Sequence, residues 1–202
     1  MTETATGLRA RKKQQTRLAL AQAGLRLFAE RGYDETTLAE IAEAAGVSTR
    51  TIFAYFPGKE DILFASLQTM CDTVVGAVTE RAEGVDALTA LRDFIVSSAQ
   101  EKDDLDHKLA DLIAADPTLA SHKRARISQM QDMLARELAK DLGVADDDLR
   151  PHVAAASIVS AFEVLERQGA GASKPQSADD VAAAIDPIFA FVRAGLDALP
   201  PA

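Results

Sequence analysis

Residues 42–59 read AEAAGVSTRTIFAYFPGK. Ala42, Gly46 and Ile52 stand at the spacing at which two short helices cross through a tight turn. A small residue lets the axes approach, a glycine is free to take positive φ in the turn, and an apolar residue anchors the second helix. Ser48 is placed to cap that second helix, which is expected to end at Phe56 before Pro57-Gly58 turns the chain. Leu38, Ile41, Val47, Phe53 and Phe56 form the face expected to be buried. Ser48, Thr49, Arg50, Thr51, Ala54 and Tyr55 are left pointing outward, compact or hydrogen-bonding groups that would not block close approach to another surface.

Beyond this stretch, almost every segment of the 202-residue chain shows the helical period, and no alternating β pattern of any length occurs. The expected class is all-α, with about nine helices. A first helix is predicted from about Thr16 to Glu30, ending at the Arg31-Gly32 C-cap. Thr37 and Glu40 make a capping-box pattern at the start of a second, and a long helix is predicted from about Lys59 to Arg81. Asp86, Asp103 and Asp116-Pro117 mark further starts, and Asp146-Asp147-Asp148 reads as caps for a helix from Leu149 to Gln168. Residues 169–176 read as a linker before a last helix from Ser177 to about Leu199.

The formal net charge is -9, but it is unevenly spread. Among residues 1–17, Arg9, Arg11, Lys12, Lys13 and Arg17 face Glu3 alone, while the acid lies in the larger C-terminal part. Bulk charge therefore excludes a protein that coats nucleic acid or anionic membrane, and leaves a basic N-terminal arm as a local feature. No apolar run reaches membrane-spanning length and no signal peptide is evident, so a cytoplasmic location and no membrane partner are expected. Cys71 is the single cysteine, which rules out an internal disulfide or a cysteine-cluster metal site. His107, His122 and His152 lack metal-ligand spacing, and no serine elbow, glycine-rich phosphate loop or HExxH occurs. Neither an enzyme, a metal nor a cofactor is expected.

The run LFAERGYDETTLAEIAEAAGVSTRTIFAYFPGKEDIL, within Ala23 to Leu63, resembles the DNA-binding domain of the tetracycline-repressor (TetR) family of bacterial transcriptional regulators. The likeness rests on Phe28 and Gly32, Thr37, Ala42, Gly46 and Val47, then Tyr55-Phe56 and Lys59-Glu60. The segment from Arg150 to Arg167 resembles the mycofactocin-regulator subgroup. The resemblance implies a helix-turn-helix DNA-binding domain over residues 1–58 and a helical effector-binding and dimerisation domain over 59–202. It further implies a ligand-responsive regulator, usually a repressor, acting as a homodimer on a near-palindromic double-stranded operator.

Site residues follow by position. Thr37, Tyr55 and Lys59 would hold phosphates, which suits hydroxyls and an ammonium at helix ends. Thr49, Arg50, Thr51 and Ala54 would face base edges, Ser48 would join them at the DNA, and Arg9, Arg11 and Lys12 would follow the backbone or a minor groove. The unknown small-molecule effector, expected to be apolar or aromatic, would lie among Phe64, Leu67, Cys71, Phe94, His107, Leu112, Met130, Met133 and Phe162. Val153, Ala156, Val159, Phe162 and Leu165 on one helix, and Ile185, Ile188, Phe189 and Val192 on the next, would form the dimer interface as part of a four-helix contact. A helical protein-interaction module without effector response is the rival reading, separated by whether duplex DNA is retained at moderate salt.

Overall fold

The computed structural model describes residues 5–98, 104–169 and 177–198. Among them every regular element is an α-helix: α1 (Ala5–Arg31), α2 (Leu38–Ala44), α3 (Thr49–Ile52), α4 (Lys59–Leu63), α5 (Ala65–Thr79), α6 (Ala87–Ser97), α7 (Asp104–Ala115), α8 (Pro117–Leu142), α9 (Leu149–Gly169) and α10 (Ala178–Ala198). None of the helices in the described residues is long and apolar enough to cross a membrane. The expected start at Asp103 and nearly all of the expected linker at 169–176 fall outside the described residues.

Two compact units are present, Met1–Thr69 with Lys102–Lys123, and Met70–Glu101 with Arg124–Ala202. They do not divide at residue 58. Ile62 and Phe64 after that point, and Leu109 and Leu119 far beyond it, share one core with Leu20, Phe28, Ile41, Ile52 and Phe56. In this first unit, α1 begins well before the predicted Thr16, because residues 5–15 are mostly strong helix formers such as Ala, Leu, Arg, Lys and Gln. Gly32, at φ 93°, closes α1 with its amide on the Phe28 carbonyl at 2.9 Å. The predicted helix from Lys59 to Arg81 is interrupted at Phe64, whose ψ of 7° leaves the helical well while its side chain is buried.

Gly24 of α1 sits where α2 and α4 converge. A Cβ there would overlap the γ-methyl of Ile62 and touch the Ile41 side chain at 3.4 Å. Ile62 is buried and β-branched, so it has little rotamer freedom with which to retreat. Gly24→Ala should therefore cost about 1–3 kcal/mol of stability through overpacking, against the usual gain for a helical Gly→Ala change. Thermal unfolding decides it, and an unchanged or raised melting temperature would contradict this packing.

The second unit closes around Val78, Leu88, Leu91, Leu138, Ile158 and Phe189. Arg81 ties the end of α5 to α8, donating to Glu137 at 2.7 Å, to Asp141 at 2.6 Å and to the Val78 carbonyl at 2.6 Å. Burial pushes the Glu137 carboxyl up, but hydrogen bonds from Lys140 and Arg81 outweigh it and hold the group below the usual range. Starts read from the sequence are capped as expected: Asp86 accepts from Thr89, Asp116 from Thr118 and Leu119 around Pro117, and Asp148 from the Arg150 amide.

Candidate nucleic-acid interface

The helix-turn-helix is built by local rules. Thr37 accepts the Glu40 amide at 3.3 Å while the Glu40 carboxylate accepts the Thr37 amide at 2.8 Å, a reciprocal cap for α2. Hydrogen bonds from Thr37, first from its hydroxyl and then from its amide, hold the Glu40 carboxyl below the usual range. Gly46, at φ 69°, lets the Val47 amide return to the Ala42 carbonyl at 2.9 Å, and Ala42 is buried at the crossing. Ser48 then caps α3, accepting the Thr51 amide at 3.2 Å, and its hydroxyl pairs with that of Thr51 at 2.8 Å.

α3 is pinned from beneath by Ile52 and Phe56, both fully buried, and Arg17 of α1 lies over the Phe56 ring at 4.7 Å. Its outward side carries Thr49, Arg50, Phe53 and Ala54, all exposed. Thr51 and Tyr55 are half-buried at the edges. Here one expectation is corrected. Phe53 does not join the buried face with Leu38, Ile41, Val47 and Phe56; it is 59% exposed, because Ile52 and Phe56, four residues apart, already fill the inward side.

Lys59 departs further from its expected place. Its ammonium donates to the carbonyls of Tyr33 at 2.8 Å, Asp34 at 3.2 Å and Thr36 at 3.4 Å, and lies 4.4 Å from the centre of the Tyr33 ring. Three donors meet three carbonyls, so the ammonium staples the start of α4 to the α1–α2 connection rather than standing free for phosphate. Beside it, burial first and the Glu60 charge second push the Tyr33 phenol up to about 12, so it stays neutral. Lys59→Met should lower stability by about 1–3 kcal/mol, since three carbonyls lose a charged donor. The salt dependence of DNA binding should stay unchanged, whereas a slope lower by about one per subunit would return Lys59 to a phosphate.

The basic residues expected on an arm preceding the first helix are instead helical. Arg9, Arg11 and Lys12 all lie within α1, and the side chains of Arg11 and Lys12 are exposed.

The candidates for effector contact are divided between the units. Phe64, Leu67 and Leu112 pack in the core of the first, and His107 is exposed on α7. In the second, Cys71 is buried, with burial pushing its thiol up, Phe94 is half-buried, and Phe162 packs half-buried on the core. Met130 and Met133 line a recess with Val74, Val78 and Leu134, whose cavity volume of ≈ 10 Å³ suits about one water.

The expected dimer residues need the larger correction. Ile185, Phe189 and Val192 are buried against their own chain, with Phe189 only 7% exposed, because α10 turns that face onto α6 and α9. Val159 and Phe162 are half-buried. Of the expected residues Val153 is exposed, and among the described residues of α9 and α10 the other exposed large apolar side chains are Leu149, Val164 and Phe191, the last 73% exposed.

Comparison with known proteins agrees with this architecture. A family model for bacterial regulatory proteins of the tetR family matches residues 20–66, and one for the MftR C-terminal domain matches residues 83–197. The HTH-type transcriptional regulator TcmR of Streptomyces glaucescens is 30% identical over 177 residues, covering 83% of this chain and 78% of that protein. Among solved structures, a SmeT–triclosan complex superposes with a TM-score of 0.64 at 21% identity, over 88% of this chain and 91% of its own. GusR of Salmonella enterica does so with a TM-score of 0.61 at 22% identity, over 91% and 96%. TcmR is a transcriptional regulator, and the family model describes regulatory proteins.

Proposed function

Because the chain belongs to the tetR family of bacterial regulatory proteins, we propose that it is a ligand-responsive repressor that acts as a cytoplasmic homodimer on a near-palindromic operator. The observation that carries this reading is the outward side of α3. Thr49, Arg50, Phe53 and Ala54 are exposed together on an element locked by the Ser48 cap and the buried Ile52 and Phe56. Such a helix fits a major groove about 12 Å wide and offers an arginine for a guanine edge. Phosphate contacts fall to Tyr55 beyond α3 and to Arg11 and Lys12 on α1, since Thr37 gives both its hydroxyl and its amide to Glu40.

The second copy supplies the symmetry. Val153 and Val164 are eleven residues apart on α9, hence on one face, and Ala184, Ile188 and Phe191 follow the same period on α10. Two neighbouring helices with apolar outer faces suit a four-helix contact between copies.

The effector is an apolar or aromatic small molecule seated from the recess at Met130 and Met133. A ligand larger than water enters there by displacing those flexible side chains. A protein of the same fold holds triclosan, which supports a small aromatic ligand. An effector that releases DNA binds the DNA-free form more tightly by the same factor by which it weakens operator binding.

Selection of duplexes from a random pool tests the proposal. The expected product is an inverted repeat whose half-sites lie about one helical turn apart, or a multiple of it. Recovery of unenriched DNA would reject it.

A further inference from the structure

α3 ends in a phenylalanine that the fold leaves outside. Phe53 is exposed while its neighbours Ile52 and Phe56 are fully buried. It keeps helical dihedrals, φ -63° and ψ -15°, so the period runs through it. Phe53 therefore follows Arg50 by three residues and Thr49 by four, on the same side of the helix. A benzyl group has no donor or acceptor, so it can neither hold a phosphate oxygen nor bond a base edge. On base edges in the major groove, the apolar group is the 5-methyl of thymine.

We infer that Phe53 is a specificity-determining residue, packing on the 5-methyl of a thymine in each half-site beside the base that Arg50 addresses. The inference rests on the DNA-binding reading above. Ala54, exposed next to it, presents only a methyl group and leaves the ring room to lie against the groove floor. Arg50 and Phe53 together make a two-part reader, one polar and one apolar, within a single turn.

Deoxyuridine provides the test, since it removes the methyl and keeps the base pair. Each thymine of the selected operator is replaced singly, and binding of the wild-type chain, Phe53→Ala and Phe53→Leu is measured. One replacement per half-site should weaken the wild type by about fourfold, the worth of one buried methyl, and leave Phe53→Ala unaffected. Phe53→Leu should keep part of the discrimination. Because the ring is exposed, all three proteins should melt together. If Phe53→Ala lowers affinity equally on thymine and uracil operators, the ring packs on sugar and the inference is overturned. Selection of a clear operator with no Phe53-dependent uracil effect overturns the inference alone. Failure to select any operator overturns it together with the DNA-binding reading.

Discussion

Phe191→Glu should turn the dimer into a monomer without unfolding it, and Phe189→Glu, two residues away, should unfold the second unit. The two rings lie on opposite sides of α10. Phe191 is exposed on the side turned away from the core, whereas Phe189 is buried among Leu88, Ile158 and Ile185. In a two-fold interface each substitution acts twice, so two carboxylates would enter an apolar contact. A loss of about 2 kcal/mol at each makes about 4 kcal/mol, or about a thousandfold in the dimer dissociation constant. At Phe189 a lone carboxylate would enter a packed core, at a cost of about 4–5 kcal/mol or more, close to the whole stability of a domain. Sedimentation and thermal unfolding separate the effects. A Phe191→Glu chain that stays dimeric at micromolar concentration would remove α10 from the interface, and a Phe189→Glu chain that melts like the wild type would contradict its burial.

Arg50→Ala should remove sequence preference while leaving general DNA affinity largely intact. Arg50 is exposed on α3, one turn before Phe53. A bidentate pair with the O6 and N7 of guanine discriminates by about 1–3 kcal/mol, hence about 2–6 kcal/mol over two half-sites. Random duplexes offer the same phosphates but not that base in register, so their loss should be less than about tenfold. Anisotropy titrations on the selected operator and on a scrambled duplex report the two losses separately. Equal losses on both would make Arg50 a backbone contact and leave base readout to Thr49, Thr51 and Phe53.

How far such roles could be read in advance depended on how local their causes are. The Thr37 and Glu40 cap, the positive φ of Gly46 and the Ser48 cap each arise from a few adjacent residues, and each was legible in the sequence. Phe53 was not, because four helical residues are too few to show a period, and a large apolar side chain reads as buried by default. The signal present was the spacing of Ile52 and Phe56, which already complete the inward side. Lys59 was misplaced for another reason: its carbonyl partners lie 23 to 26 residues back in the chain, and no local pattern encodes them. On α10, Ile185, Phe189 and Val192 announced an apolar face but not whether the chain itself or a second copy covers it. Phe191, apolar and opposite that stripe, was the available sign of a second face.

The division into units was equally hidden. Leu109 and Leu119 join the core of the helix-turn-helix unit from more than forty residues beyond α4, a contact that depends on tertiary packing. The long helix is likewise interrupted at Phe64, a buried ring, with no proline or glycine at the break to signal it.

If two copies read two half-sites, titration onto a full operator, an isolated half-site and a scrambled duplex of equal length will show it. Two chains should bind the full operator at saturation, with the half-site weaker by far more than twofold and the scrambled duplex weaker again, because linked copies share one duplex. One chain per duplex, with equal affinity for all three, would contradict it.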